Sequence, residues 1–176
     1  MRIIGGVWRS RVIRFADAPD LRPTPDRVRE TLFNWLGQDL TGWACLDLYA
    51  GSGALGFEAL SRGAERVVMV ETDRDACRAL RENAALLGAK GLTVECADAL
   101  EFVARAPERF DVIFLDPPFR RGVAGEIWTR LPACLADNGL VYLESDARFA
   151  ACHPFAEIKH GRAGNVHYHL IGRSEQ

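Results

Sequence analysis

The length of 176 residues suits one domain, and a hydrophobic content of 48% is enough for one buried core. A net charge of −2 and a pI near 6.1 argue against a uniformly basic surface. No apolar run approaches the roughly 18 residues of a membrane span, and the five cysteines form no C-x-x-C pair. We therefore expect a cytoplasmic protein with reduced cysteines and no membrane contact, folded as one domain over 1–176.

The first segment, residues 1–21, alternates loosely around two glycines, which favours a small hairpin over a helix. Residues 1–30 hold seven arginines against four acids, a net charge of +3. One interpretation is a solvated edge whose charges resist aggregation. The other is an arm whose cations neutralise nucleic-acid phosphates while Trp8 and Phe15 stack on bases.

Thr24 and Pro25 predict the start of a helix over 26–36, with Thr24 as N-cap and proline in the first helical position. Apolar residues then recur with helical spacing up to Gly37. Arg22, Arg27 and Arg29 are either surface charges of this helix or an extension of the basic arm.

From Trp43 the chain alternates between apolar runs and helical patterns, which predicts an α/β fold with a mainly parallel sheet. Strands are expected at 43–48, 66–71, 92–96, 110–115 and 140–144, with an antiparallel pair at 155–160 and 166–171. Helices are expected at 54–62, 74–87, 99–105 and 123–135.

The first apolar run ends in Asp47 and is followed by three glycines at G-x-G-x-x-G spacing, namely Gly51, Gly53 and Gly56. A dinucleotide site would hold a pyrophosphate there, which a carboxylate would repel. Asp47 instead suits a nucleoside with positive charge and no phosphate, such as S-adenosylmethionine. Glu71 closes the next strand about 20 residues past the loop, where a ribose diol is held.

Asp98 follows the third strand and precedes a predicted helix. Its carboxylate can cap that helix or contact the amino group of an adenine, and the sequence leaves both interpretations open.

The fourth strand leads into the catalytic candidates Asp116, Pro117, Pro118 and Phe119. Two consecutive prolines fix the backbone and remove two donors, leaving rigid carbonyls beside an acid and an aromatic ring. A planar amine could donate to the Asp116 carboxylate and the Pro117 carbonyl while its ring stacks on Phe119. The alternative is a proline turn in which Asp116 caps the next helix.

Four histidines lie in the last quarter of the chain. No cysteine or acid stands at a fitting spacing, and His167 and His169 share one strand face. Two histidines on one face can hold a metal, but polar residues on an edge strand are the commoner explanation. We therefore expect no metal. Ser52 lacks the G-x-S-x-G elbow of an acyl-transfer nucleophile.

The segments around Asp47–Gly53, Glu71 and Asp116–Phe119 resemble class I S-adenosylmethionine-dependent methyltransferases that modify exocyclic amines. More closely, Arg2–Gly6, Arg22–Glu30, Phe33–Leu36 and Gly53–Ala64 resemble the RsmD family of 16S rRNA guanine-N2 methyltransferases. Departures from the family pattern are Tyr49, Pro25 and the histidine-bearing C-terminus.

The resemblance implies a Rossmann-like catalytic core over 22–176, with a seven-stranded sheet covered by helices on both faces and preceded by the hairpin 1–21. It implies a cofactor site for S-adenosylmethionine at Asp47, Tyr49, Gly51, Ser52, Gly53, Glu71, Asp98 and Ala99. It implies RNA contacts from Arg2, Trp8, Arg9, Arg11, Arg14 and Arg22. The expected substrate is 16S rRNA in an assembling small subunit, with ribosomal proteins as further partners.

Three other functions share parts of these patterns. An adenine-N6 methyltransferase acting on DNA or RNA, or a protein-glutamine methyltransferase, would use the same acid and proline loop. A DNA enzyme would usually need an added recognition domain, and a protein-glutamine enzyme would have less use for an arginine arm. A nucleotide-binding module that is not an enzyme would not need residues 116–119.

Overall fold

Five helices and seven strands lie within the residues that the computed structural model describes, which are 1–15, 24–105, 108–118, 122–123 and 125–174. The helices are α1 (Asp26–Trp35), α2 (Ala54–Ser61), α3 (Arg74–Leu87), α4 (Ala99–Arg105) and α5 (Gly125–Cys134). The strands are β1 (Ala44–Asp47), β2 (Arg66–Glu71), β3 (Leu92–Cys96), β4 (Phe110–Leu115), β5 (Leu135–Ser145), β6 (Phe155–Ala163) and β7 (Val166–Arg173). None of these helices is long and apolar enough to cross a membrane.

The seven strands form one sheet in the order β3-β2-β1-β4-β5-β7-β6. The pairs from β3 to β5 are parallel, whereas β7 runs antiparallel to both β5 and β6. The predicted α/β fold is confirmed, and its sheet is mixed because the last two strands form a hairpin. The bounds of β2, β3, β4, α3 and α4 agree with the sequence prediction, while β5 begins earlier, at Leu135.

Apolar side chains alternate between the two faces of the sheet and meet helices on each. Cys45 and Val67 pack with α1, α2 and α3, while their neighbours Leu46 and Val68 pack with α4 and α5. The strands are therefore buried on both sides, as their continuous apolar runs require. This burial fixes the register that sets the strand ends beside one another.

Thr24 does not cap α1. The N-cap residue is Pro25, and no side chain makes a cap hydrogen bond at this end of the helix. Thr24 is buried, and its hydroxyl contacts two carboxyl groups at the edge of the sheet instead. The predicted capping role was wrong because tertiary partners satisfy this hydroxyl.

The N-terminal segment folds back on itself, with an antiparallel bridge between Arg2 and Val12, as a hairpin requires. The buried carboxylate of Glu58 on α2 holds it in place. The Glu58 oxygens accept the backbone N–H groups of Ile4 at 2.9 Å and Gly5 at 2.8 Å. They also pair with Arg29 at 3.4 Å and Arg62 at 2.9 Å. One side chain thus joins the N-terminus, α1 and α2.

Gly6 lies where the hairpin crosses the last residue of α2. Its φ of 75° is left-handed, and a Cβ at this position would overlap the backbone of Ser61. The Ser61 side chain also accepts the N–H of Trp8 at 2.9 Å and donates to the Gly5 carbonyl. Only glycine allows this close approach.

Arg29 fits neither interpretation offered by the sequence. Its side chain is fully buried and pairs with Asp26 and Glu58, while one nitrogen donates to the Arg2 carbonyl at 2.9 Å. Its Nε has no hydrogen-bond partner among the described residues. Arg29 therefore stabilises the hairpin through the Arg2 carbonyl and is not available to RNA. Arg27 is exposed, and Arg22 lies outside the described residues.

We expect Glu58→Gln to lower the free energy of unfolding by about 3–5 kcal/mol, because it leaves two buried arginines without their shared carboxylate. Urea denaturation would measure this loss, and limited proteolysis would show the hairpin cut first. Glu65→Gln, which changes an exposed acid just after the same helix, is the matched control. Equal stability of the two variants would contradict the role given to Glu58.

Candidate active site

Four acidic side chains lie at the carboxyl ends of four neighbouring strands. Glu71 ends β2, Asp47 ends β1, Asp116 follows β4 and Glu144 lies one residue before the end of β5. These strands are adjacent in the order β2-β1-β4-β5, so the acids form one line along the sheet edge, here called the acid row. Among the described residues, no lysine or arginine forms an ion pair with any of them.

The glycine loop joins the acid row through its backbone. Asp47 is 2% exposed and its Oδ2 accepts the Gly56 N–H at 3.2 Å, while Glu71 Oε2 accepts the Gly51 N–H at 2.9 Å. Gly53 is the N-cap of α2 and has a left-handed φ of 80°. A Cβ on Gly56 would collide with the Met69 side chain on β2. The glycine spacing therefore brings helix and strand together, as its pattern predicts.

The remaining residues of the predicted cofactor site flank this loop. Ser52 and Ala99 are buried, and Tyr49 is half-buried. Burial, followed by the negative charge of Asp98, raises the pKa of Tyr49 to about 12, which places Tyr49 near Asp98. Asp98 Oδ1 accepts the N–H groups of Leu100 at 2.8 Å and Glu101 at 3.1 Å. The capping role of Asp98 is therefore present in the structure.

Burial, with repulsion from neighbouring carboxylates for the first two, holds back ionisation of Asp47, Asp116 and Glu144. Burial, with a further contribution from the charge of Glu71, raises the pKa of Asp47 to about 7, although the Gly56 N–H opposes the rise. Burial and the charges of Glu144 and Asp47 raise the pKa of Asp116 well above its usual range. Burial also raises the pKa of Glu144. Carboxylates in this state favour a cation or a proton donor as their ligand.

Thr24 and Tyr142 complete the network at the β4 and β5 ends. The Thr24 hydroxyl lies 2.9 Å from Glu144 Oε1 and 3.2 Å from Asp116 Oδ2, and the Tyr142 hydroxyl donates to Glu144 Oε1 at 2.8 Å. Thr24 has one hydroxyl proton and can donate to one carboxylate at a time. Both contacts are satisfied when one of the two carboxyl groups carries a proton and donates it to Thr24, which leaves the other as a carboxylate.

Sequence reasoning missed Thr24, Tyr142 and Glu144 as residues of this site. Glu144 carried a usable signal, because it closes its apolar run as Asp47 and Glu71 close theirs. Thr24 carried none, since 92 residues separate it from Asp116 along the chain.

The proline loop adjoins a pocket of about 340 Å³. Pro117 is buried and lines this pocket, whereas Pro118 is exposed. Phe119 lies outside the described residues, so its predicted stacking role stays a prediction. The pocket walls include two aromatic side chains and one acid. Among the lining residues are Pro117, Trp128, Glu144, Ser145 and Phe149.

The predicted RNA-contacting residues of the hairpin lie away from the acid row. Ser61, which contacts Gly5 and Trp8, is at the end of α2 farther from the glycine loop, a distance of roughly 10 Å along the helix. Arg2, Arg9, Arg11 and Arg14 are exposed, while Trp8 is half-buried against the core. The arginines therefore face solvent, and much of the Trp8 ring is used in packing.

Asp47→Asn should stabilise the unliganded protein at pH 8. The pKa of Asp47 is about 7 in the folded protein, against 3.8 for an unperturbed aspartate. The folded state therefore loses free energy of unfolding as the pH rises from 3.8 to about 7, because the unfolded chain ionises Asp47 more easily. The shift of roughly three units corresponds to about 4 kcal/mol as an upper value. Asparagine keeps an acceptor for the Gly56 N–H but carries no charge.

Urea denaturation from pH 4 to pH 8 would test this, with the gain of the variant growing up to about pH 7 and then levelling off. Asp75→Asn, on the exposed surface of α3, should show no such growth. A gain for Asp47→Asn that did not depend on pH would contradict the assigned ionisation.

Comparison with known proteins gives the family of this chain. The family described as conserved hypothetical protein 95 matches residues 1–172. The ribosomal RNA small subunit methyltransferase D of Escherichia coli K12 is 44% identical over 100% of this chain and 91% of its own length. The protein of that name in Haemophilus influenzae is 38% identical, over 97% and 92%. The solved structure of the putative methyltransferase yhhF from Escherichia coli has a TM-score of 0.89 at 43% identity, covering 100% of this chain and 99% of that one. The chain therefore belongs to the conserved hypothetical protein 95 family, the family of the RsmD methyltransferases.

Proposed function

We propose that this chain transfers a methyl group from S-adenosylmethionine to the exocyclic 2-amino group of a guanine in 16S rRNA of the small ribosomal subunit. The observation that carries the proposal is the acid row running from the glycine loop to the proline loop. Family membership supports it, because the relatives that match nearly the whole chain are named as small-subunit rRNA methyltransferases. Their substrate also supports a place in the cytoplasm, where ribosomes are assembled.

The glycine-loop end of the acid row fits S-adenosylmethionine. Its sulfonium and ammonium charges would offset the buried Asp47 carboxylate, which would repel the pyrophosphate of a dinucleotide. Glu71 accepts N–H groups from Gly51 and Asp73. The Thr72 hydroxyl also donates to Glu71, at 3.3 Å. Since a carboxylate offers about four acceptor sites, Glu71 keeps capacity for one ribose hydroxyl. Tyr49, Ser52, Gly53, Asp98 and Ala99 would surround the adenosine.

The proline-loop end would receive the amine. When bound, S-adenosylmethionine supplies an electrophilic methyl group. Asp116 and the Pro117 carbonyl would accept the two amino hydrogens, which directs the nitrogen lone pair at that methyl group. As the new N–C bond forms and the bond between sulfur and the methyl carbon breaks, Asp116 in its ionised form would take the proton released by nitrogen. Thr24 connects Asp116 to Glu144 and would hold the carboxyl group in position.

The pocket beside Pro117 suits a nucleobase turned out of its helix. Its volume of about 340 Å³ and the rings of Trp128 and Phe149 provide room and apolar surface for a planar base. Guanine, adenine and cytosine all carry an exocyclic amine, so the loop chemistry leaves the base open. The family relationship selects guanine, and neither adenine-N6 nor protein-glutamine methylation is favoured by the named relatives.

The substrate would be a partly assembled particle. A protein of 176 residues with one basic hairpin and a net charge of −2 has little surface with which to read a long RNA. The shape of a folded target, with ribosomal proteins as further contacts, would supply the rest of the recognition.

The test is methyl transfer to naked 16S rRNA, to small subunits and to genomic DNA, followed by digestion to nucleosides and mass spectrometry. We expect N2-methylguanosine from the particle. N6-methyladenosine would overturn the choice of base, and equal rates on naked RNA would overturn the need for a particle.

Two variants separate the halves of the site in the same assay. Asp116→Ala should abolish methyl transfer and leave cofactor affinity nearly unchanged, because Asp116 faces the acceptor amine. Glu71→Ala should weaken cofactor binding by about 1–3 kcal/mol and recover part of its turnover at saturating cofactor. The same kinetic pattern in both variants would contradict this division.

We also expect that replacing Arg9, Arg11 and Arg14 together by alanine weakens RNA binding and flattens its salt dependence. Each lost phosphate contact changes the slope of log K against log salt by about 0.7 to 0.9. The control replaces three exposed arginines by alanine: Arg105 at the end of α4, Arg109 just before β4, and Arg130 on α5. The helices α4 and α5 cover the other face of the sheet. An unchanged slope would return the hairpin arginines to the role of a solvated edge.

A further inference from the structure

Three histidines from β6 and β7 converge on one face of the sheet, at the edge farthest from β3. His167 and His169 alternate along β7 and share a face, and His160 on β6 lies directly opposite His169 in the pairing register. The three rings are stacked, with centroids 4.9 to 6.2 Å apart. We call these three residues the histidine cluster.

Glu157 fixes the orientation of the most buried ring. His169 is fully buried, and its Nδ1 lies 2.7 Å from Glu157 Oε2. A carboxylate is an acceptor, so the hydrogen bond assigns the proton to Nδ1 and leaves the Nε2 lone pair free. Histidine ligands of metal ions are oriented by a carboxylate in the same manner.

The ring nitrogens are close enough to share one ion. His160 Nε2 lies 2.9 Å from His167 Nδ1, and one nitrogen from each ring lies within 4.8 Å of the others. Tetrahedral zinc with Zn–N bonds of 2.0–2.1 Å separates its ligand nitrogens by roughly 3.3 Å. His160 and His167 are only half-buried on the outermost strands, so their rings have room to close around an ion.

We propose that His160, His167 and His169 bind a divalent transition-metal ion that prefers imidazole, and that this ion is Zn²⁺. The sequence expectation of no metal considered His167 and His169 alone, and strand pairing supplies the third ligand. Three histidines with an open fourth position for water are a recognised donor set for zinc.

Charged side chains of both signs lie near the histidine cluster. Arg162 and Arg148 oppose a further positive charge, whereas Glu157 and Asp146 favour it. The ion would join the edge strand β6 to β7. It would also stiffen the pocket wall, because His169 Nε2 lies 3.5 Å from Ser145 Oγ.

The test is calorimetry of ZnCl₂ with the full chain, free of any histidine tag and treated with chelator. We expect one ion per chain and a rise in Tm. His160→Ala and His167→Ala should each weaken binding at least tenfold, and Glu157→Gln about 10–100-fold. His153→Ala, an exposed histidine outside the cluster, should bind as the unchanged chain does.

Cobalt(II) replaces zinc in a second measurement that distinguishes histidine from cysteine ligands. Its spectrum should lack the intense near-ultraviolet band of a thiolate ligand. The thiolate band would place the ion on cysteines and overturn the proposal. No binding at all, or an unchanged Kd in a chain that carries both His160→Ala and His167→Ala, would also overturn it. Circular dichroism checks folding, and His160→Gln with His167→Gln replaces the alanine variants if these do not fold.

Discussion

The structure depends on keeping negative charge buried at one edge of the sheet. Parallel pairing of β2, β1, β4 and β5 brings Glu71, Asp47, Asp116 and Glu144 into one line. Asp47 and Glu144 are buried, while Glu71 and Asp116 are half-buried. Within the described ranges, hydroxyl and backbone N–H groups form hydrogen bonds with these carboxyl groups, and no lysine or arginine forms an ion pair with them. Such an arrangement costs stability unless a positively charged ligand compensates it, which supports the proposal that the acid row binds ligands.

Glu58 shows how the same chain treats a buried carboxylate that serves the fold. It is as buried as Asp47, yet two backbone N–H groups and two arginines surround it. The paired acid joins the hairpin and α1 to α2. The acids of the acid row pair with no lysine or arginine among the described residues and are proposed to bind the ligands. Because only Pro25 separates Thr24 from α1, the scaffold built around Glu58 also helps to bring the Thr24 hydroxyl to the acid row.

The carboxyl ends of the parallel strands and the hairpin at the sheet edge carry different ligand-binding side chains. The parallel strands end in carboxylates, while the antiparallel hairpin of β6 and β7 carries imidazoles on one face. Ser145 lies between them, beside Glu144 in sequence and near His169 in space. The pocket wall therefore touches both a carboxyl network and a histidine cluster, which connects the proposed amine site with the proposed zinc site.

The sequence alone determined the α/β fold, most strand and helix bounds and three of the four acids, because these follow from apolar periodicity and from acids at the ends of apolar runs. The glycine loop was equally readable, since its spacing reflects local backbone geometry. Only the tertiary structure decided that the Thr24 hydroxyl contacts Glu144 and that the buried Arg29 pairs with Glu58. It also decided that His160 lies close to His167 and His169. In each case the contacting residue lies on another helix or strand. Such contacts depend on how the elements pack in the fold, and the local sequence pattern does not encode that packing.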